Sequence, residues 1–212
     1  MKRFLRIGAV AMGVAGLSLV GGSFQGGAGA GVSTVAPAVT ARAVLHDPAG
    51  NTMGNVTYTQ RNGYVVVRAS VHGLAPGFHG FHIHANNDPA NGNGCIADPN
   101  QPSNTWFVSA DGHYRLGSET HGAHQGDMPV LLMNGTGVGD SRAWSTFRTD
   151  RFAVTDIVGM AIIVHAGADN FANIPLGANP DQYTANSSAA TDKTALSGNS
   201  GDRLLCGLVV AG

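Results

Sequence analysis

The chain has 212 residues, a formal net charge of -1 and 12% charged residues, which is about half the charged share of an ordinary soluble domain. The length allows one domain of ordinary size or two small ones, and the charge balance gives no global reason to expect nucleic-acid or acidic-membrane binding. With 31 glycines and no long Glu/Lys/Ala/Leu blocks, short strands joined by turns are expected rather than a helical bundle.

In chain order the first feature is an export segment. Lys2, Arg3 and Arg6 precede an uncharged apolar run from Ile7 to Gly22, and Ala28-Gly29-Ala30 offers a small-residue cleavage site. The alternative is a retained membrane anchor, but the run is short and glycine-rich for a spanning helix of ~20 apolar residues. A signal peptide over 1–30, a flexible lead-in over 31–41 and a folded domain over 42–212 are therefore expected, with a secreted or extracytoplasmic location. Cys95 and Cys206 are the two cysteines, so after export they form one disulfide or stay as two buried thiols; an oxidising compartment favours the disulfide.

Strands are predicted over 42–46, 55–60, 64–71, 78–85, 130–134, 143–149, 160–166 and 203–210. In the third, Val65, Val67, Ala69 and Val71 alternate with Val66, Arg68 and Ser70, the period of a half-buried strand. Asn62-Gly63 before it is a two-residue hairpin signal. The stretches 86–129 and 166–202 have little strand character, and loops of that length inside one domain are commonly functional. No ten-residue stretch carries a 3.6-residue apolar period. The expectation is all-β: a sandwich or barrel of about eight strands, with two long loops folded over a site.

The chemistry concentrates in the histidines. His82 and His84 are two apart on one strand and so share a face, half of a nitrogen site of the kind Cu(II) prefers. His79 has the opposite parity and reads as a hydrogen-bonded structural group. His113, His121, His124 and Asp127 lie within fifteen residues, three imidazoles and a carboxylate that suit zinc; the alternative is a solvated polar loop. His165 ends a very apolar strand, where a histidine is either a ligand or a satisfied core group. Arg203 is either a strand-edge charge or an anchor for an anion.

Together these motifs resemble the copper/zinc superoxide dismutase family. GFHGFHIH (77–84) is similar to its first copper motif, GDMP (126–129) to its zinc-loop element, VHAGADN (164–170) to its second copper motif, and GNSGDRLLCG (198–207) to its C-terminal arginine–cysteine signature. The similarity runs from about Ala43 to the C-terminus, and DNFANIP (169–175) is closest to bacterial, actinobacterial-type members. The resemblance implies a Greek-key fold and a copper site of His82, His84, His113 and His165. It implies zinc on His113, His121, His124 and Asp127, so that His113 is shared, and a linking carboxylate at Asp169. It also implies Arg203 as the superoxide-docking residue, the Cys95–Cys206 disulfide, and dismutation of superoxide to oxygen and peroxide. Rival readings are a secreted copper carrier and a structural module. No stretch identifies an oligomeric interface, so a monomer and a homodimer both stay open.

Departures from the family pattern fall mostly on the zinc side: Tyr114-Arg115-Leu116 follows His113, and only three positions separate His121 from His124. They predict an intact copper site and a zinc site whose geometry needs testing. Lys193 is the one lysine in the loop after His165, which predicts weak electrostatic guidance of an anion.

Overall fold

A computed structural model describes residues 38–172 and 188–212. The expected signal peptide and most of the lead-in lie outside the described residues. Among those described, no helix is long and apolar enough to cross a membrane.

Among the described residues ten strands form, in chain order: β1 (Thr40–His46), β2 (Thr52–Arg61), β3 (Tyr64–His72), β4 (Gly77–His79), β5 (Phe81–His84), β6 (Leu131–Met133), β7 (Arg142–Thr149), β8 (Ala161–His165), β9 (Arg203–Leu208) and β10 (Val210–Ala211). One antiparallel sheet runs β5-β8-β9-β1-β2-β3-β7 with β10 on β1, and β4 pairs with β6 in a second, two-stranded sheet. The larger sheet curls into a half-barrel, so the all-β expectation holds.

The alternation seen in the sequence sets this curl. Val65, Val67, Ala69 and Val71 of β3 face inward with Ala41, Ala43 and Leu45 of β1 and Val56 and Tyr58 of β2. Each fully buried Val or Leu contributes about 1.5–3 kcal/mol. Asn62 and Gly63 form the two-residue turn that pairs Arg61 with Tyr64, with Gly63 at φ +78°, a conformation glycine adopts without steric cost.

Two expectations change. The segment 78–85 is not one strand: it breaks at Gly80, whose amide donates to the Gly167 carbonyl at 2.8 Å while its carbonyl accepts from the His165 amide at 2.8 Å. The break leaves β5 beside β8 in the main sheet and sends β4 to β6. The second correction is a helix, α2 (Ser188–Ser197), inside the segment taken as a loop; the short α1 (Val154–Ile157) precedes β8. On α2 the small polar Thr194 is buried while Leu196 is 66% exposed, so no apolar stripe marks it in the sequence.

The predicted disulfide is present between Cys95 and Cys206, with Cα atoms 5.5 Å apart. It ties the long loop after β5 to β9.

Candidate metal centre

β5 and β8 are hydrogen-bonded neighbours, with His82 opposite Ile163 and His84 opposite Ala161. His82 and His84 share a face because they are two apart on β5, and β8 runs antiparallel so that its last residue, His165, sits beside Gly80 at the start of β5. The loop after β5 returns along β5: Ile83 donates to the Gly126 carbonyl at 2.9 Å, and Tyr114 donates to the Ile83 carbonyl at 2.8 Å. That return brings His113 onto the strand as an isolated bridge partner of His84. His82, His84, His113 and His165 are all buried, and each offers a ring nitrogen within 4.8 Å of the others.

The outer nitrogens are spoken for. His84 Nδ1 lies 2.7 Å from the Asp111 carbonyl and His165 Nδ1 3.0 Å from the Gly201 carbonyl. His82 Nε2 lies 2.7 Å from Asp169 Oδ2. Contacts to a carbonyl or carboxylate require an N–H, so the opposite nitrogen of each ring carries a lone pair. These lone pairs converge: His84 Nε2 and His165 Nε2 are 3.4 Å apart, while His82 Nδ1 and His113 Nε2 are buried with no hydrogen-bond partner. Unpaired buried acceptors are costly, and a cation among them removes the cost. Burial holds His84 and His165 well below the ordinary imidazole range. It also lowers His82 against the pull of Asp169, and takes His113 down to about 3. All four rings are neutral, the form that ligates metal.

A second convergence uses the other edge of His113. Its Nδ1 is 2.8 Å from Asp127 Oδ1 and 3.4 Å from both His121 Nδ1 and His124 Nδ1. Asp127 Oδ1 is also 3.1 Å from His121 Nδ1 and 3.3 Å from His124 Nδ1. The far atoms are fixed: Asp127 Oδ2 accepts from the Gly122 and His124 amides at 2.7 and 3.0 Å, and His124 Nε2 meets the Glu119 carbonyl at 3.0 Å. Three imidazoles and one carboxylate around one point match zinc's donor preference. Burial raises Asp127, but its hydrogen bonds to His113 and His121 outweigh that and hold it well below the usual carboxylate range. Burial disfavours protonated His121, yet Asp127 and Asp169 outweigh it and lift the ring to about 9. His82 also has a donor atom within 4.8 Å of those of His113, His121 and Asp127; its Nε2 is occupied by Asp169, which leaves its free Nδ1 to the first site. The three-residue spacing of His121 and His124, expected to strain the zinc side, brings both Nδ1 atoms to the same distance from His113.

Asp169 links the two halves, with Oδ2 on His82 and Oδ1 2.8 Å from His121 Nε2. Burial works against its ionisation, but His121 and His82 hold it ionised. His79 is structural as expected: its ring nitrogens meet the His165 and Ala75 carbonyls at 2.7 and 2.9 Å.

A cavity of about 330 Å³ opens over the first site, lined by His84, His113, His165 and Arg203, with Arg115 and Leu196 also lining it. The Arg203 guanidinium donates to the Phe107 and Asp111 carbonyls. Burial lowers it to about 10, so it stays cationic at neutral pH. Arg115, not Lys193, is the second cation along this cavity, and sequence reasoning did not single it out.

Two glycines also escaped notice as site residues. A Cβ on Gly126 would lie 2.2 Å from the Ile83 carbonyl oxygen, between the two histidines of β5, and one on Gly198 (φ +61°) would lie 1.9 Å from Asp169 Oδ1. Gly126→Ala is expected to push the zinc-side loop off β5. Metal titration checks this: zinc affinity should fall at least tenfold with the sheet still folded by circular dichroism, and unchanged affinity would show that the backbone can yield here.

Known proteins resemble this chain in sequence and in fold. The family model for copper/zinc superoxide dismutase matches residues 52–209. A superoxide dismutase [Cu-Zn] of Mycobacterium tuberculosis is 36% identical over 178 residues, covering 79% of this chain and 69% of the relative. One from Mycolicibacterium paratuberculosis is 34% identical over 194 residues, covering 87% and 81%. The crystal structure of the clock protein EA4 superposes with a TM-score of 0.58 at 24% identity, covering 81% of this chain and 93% of its own, a likeness of fold. Motif order, strand arrangement and mycobacterial relatives converge on one assignment: the chain belongs to the copper/zinc superoxide dismutase family and is of its actinobacterial type.

Proposed function

We propose that the protein is an exported superoxide dismutase in which His82, His84, His113 and His165 hold copper, and His113, His121, His124 and Asp127 hold zinc. The observation that carries this reading is the pair of buried, partnerless nitrogens His82 Nδ1 and His113 Nε2, facing the free edges of His84 and His165. Copper held by those four rings would supply a one-electron redox couple, and zinc held beside it would supply a fixed positive charge next to His113.

The remaining work falls to the chain. Arg203 stays charged while partly buried, and its two carbonyl contacts fix the direction in which its free N–H edge faces the cavity. A guanidinium so held orients a small anion by charge-assisted hydrogen bonds. His113 Nε2 is the atom that takes up a proton between the two half-reactions and returns it to the departing peroxide. The second proton comes from water, so two superoxide ions and two protons give one oxygen and one hydrogen peroxide. Asp169, bonded to His82 and His121, keeps both rings turned to their sites. Export is supported by the charged and apolar N-terminal run and by the disulfide, and a Brugia pahangi relative, 29% identical over 182 residues, bears the name extracellular superoxide dismutase.

Arg203→Ala separates this enzyme from a copper carrier. The expected result is a kcat/KM at least tenfold lower at low ionic strength with copper stoichiometry unchanged. An unchanged rate would favour the carrier.

A further inference from the structure

We infer that Asp111 is a positioning residue: its carboxylate clamps a strained backbone, so that its own carbonyl holds copper ligand His84 and anion-docking Arg203 in register. The inference rests on the roles proposed above for those two residues.

The Asp111 carbonyl oxygen has two donors. His84 Nδ1 approaches it at 2.7 Å and Arg203 Nη2 at 2.6 Å. Rotation of this one peptide would release the N–H that fixes the His84 ring and one of the two anchors of the guanidinium. A carbonyl shared by a metal-site histidine and a substrate-side cation couples their orientations.

The peptide is held against its own preference. Asp111 has φ +64° and ψ −159°, a combination that is essentially confined to glycine, because a Cβ there crowds the backbone. The side chain supplies the compensation. Asp111 Oδ2 accepts from the Asn87 and Asp88 amides at 2.6 and 2.9 Å, and Oδ1 accepts from Asn91 Nδ2. These three donors belong to the turn that follows β5, the strand that carries His82 and His84. Asn87 and Asp88 thus provide two of the donors through their backbone amides. The clamp runs from the end of the copper strand to the peptide that orients the strand's own His84. Phe107, whose carbonyl is the other anchor of Arg203, is also at positive φ (+55°).

Strain and clamp make opposite demands on the side chain, which gives a test with a distinctive order. Alanine keeps the Cβ crowding and loses the clamp; glycine loses both; asparagine keeps one acceptor oxygen. In the copper- and zinc-loaded protein, Asp111→Ala is expected to lower kcat/KM at least tenfold, to weaken azide binding, and to shift the Cu(II) electron paramagnetic resonance spectrum as His84 turns. Asp111→Gly should recover the spectrum and come within about threefold of the parent rate, with Asp111→Asn between. A parent-like spectrum, rate and azide affinity in Asp111→Ala would overturn the inference. So would equal losses in the alanine and glycine variants, which would make the side chain a general stabiliser. Arg203→Ala, assayed alongside, keeps the two readings apart. If it leaves the rate unchanged, the docking role fails, while the spectrum of Asp111→Ala still reports whether Asp111 positions His84.

Discussion

Replacing His165 with alanine is expected to abolish dismutation, with kcat/KM at least a thousandfold lower and the sheet intact. The residue ends β8 and is 2% exposed. Its Nδ1 is committed to the Gly201 carbonyl, and its Nε2 faces His84 Nε2 at 3.4 Å. Removing the ring takes away one of four convergent nitrogens and opens that side of the site to water, so any copper that still binds would be held by one donor fewer. The fold should survive for a physical reason. In the metal-free protein the ring is a buried polar group whose removal leaves only the Gly201 carbonyl to be resolvated, a cost of about 1–3 kcal/mol. Metal analysis and a superoxide-decay assay on copper-loaded protein check the claim, and a fully active variant would remove His165 from the copper set. The contrast with Arg203→Ala is informative, since that change should spare copper and reduce only encounter and orientation. Two variants lining one cavity, one losing metal chemistry and one losing docking, would locate the two functions separately.

Much of this centre was legible in the sequence because the relevant signals are local. His82 and His84 share a face through a two-residue period that any strand imposes. His121, His124 and Asp127 are close in sequence, so one loop could gather them. Val65 through Val71 announced their inward face by alternation. The contacts that hold these side chains in place were harder to read, because backbone groups make most of them. Nothing in the identity of residue 111 says that its carbonyl will serve both His84 and Arg203, and nothing in Gly201 announces an acceptor for His165. Gly126 and Gly198 lay within quoted motifs, but their role is to permit close approach, which needs the third dimension to be seen. The helix Ser188–Ser197 was missed for a related reason. It turns small polar residues toward the site, with Ala195 accepting from the His121 amide at 2.8 Å, so the apolar period that usually reveals a helix is absent. The geometry of the zinc-side spacing also needed the third dimension. A short gap between His121 and His124 looks like compression, yet a tight turn lets both Nδ1 atoms reach His113, and Asp127 Oδ2 stabilises that turn by accepting two of its amides.

Cys95→Ala with Cys206→Ala is expected to cost the metal-free protein about 3–5 kcal/mol of folding stability. The two residues are 111 positions apart, and in the chain-entropy account a cross-link over so long a loop disfavours the unfolded state by about 5 kcal/mol. Native packing loses less: Cys206 is buried with Phe107, Ala110, Ala161 and Ile163, and alanine keeps that surface apolar. Denaturant unfolding of both forms measures the difference, and a loss below about 1 kcal/mol would show that the loop is held by its other contacts. Those contacts are specific: the Phe107 amide donates to the Ile96 carbonyl at 2.9 Å, and Ser109 Oγ donates to the Gly94 carbonyl at 2.7 Å. They connect the disulfide to the stretch whose Phe107 and Asp111 carbonyls anchor Arg203. The same variant should therefore lose activity under conditions where it remains fully folded. Its loss is bounded by that of Arg203→Ala, because slackening an anchor cannot do more to docking than removing the guanidinium. A loss beyond that bound would place the disulfide's influence on the proposed copper ligands, with the Asp111 carbonyl on His84 as the connection to examine.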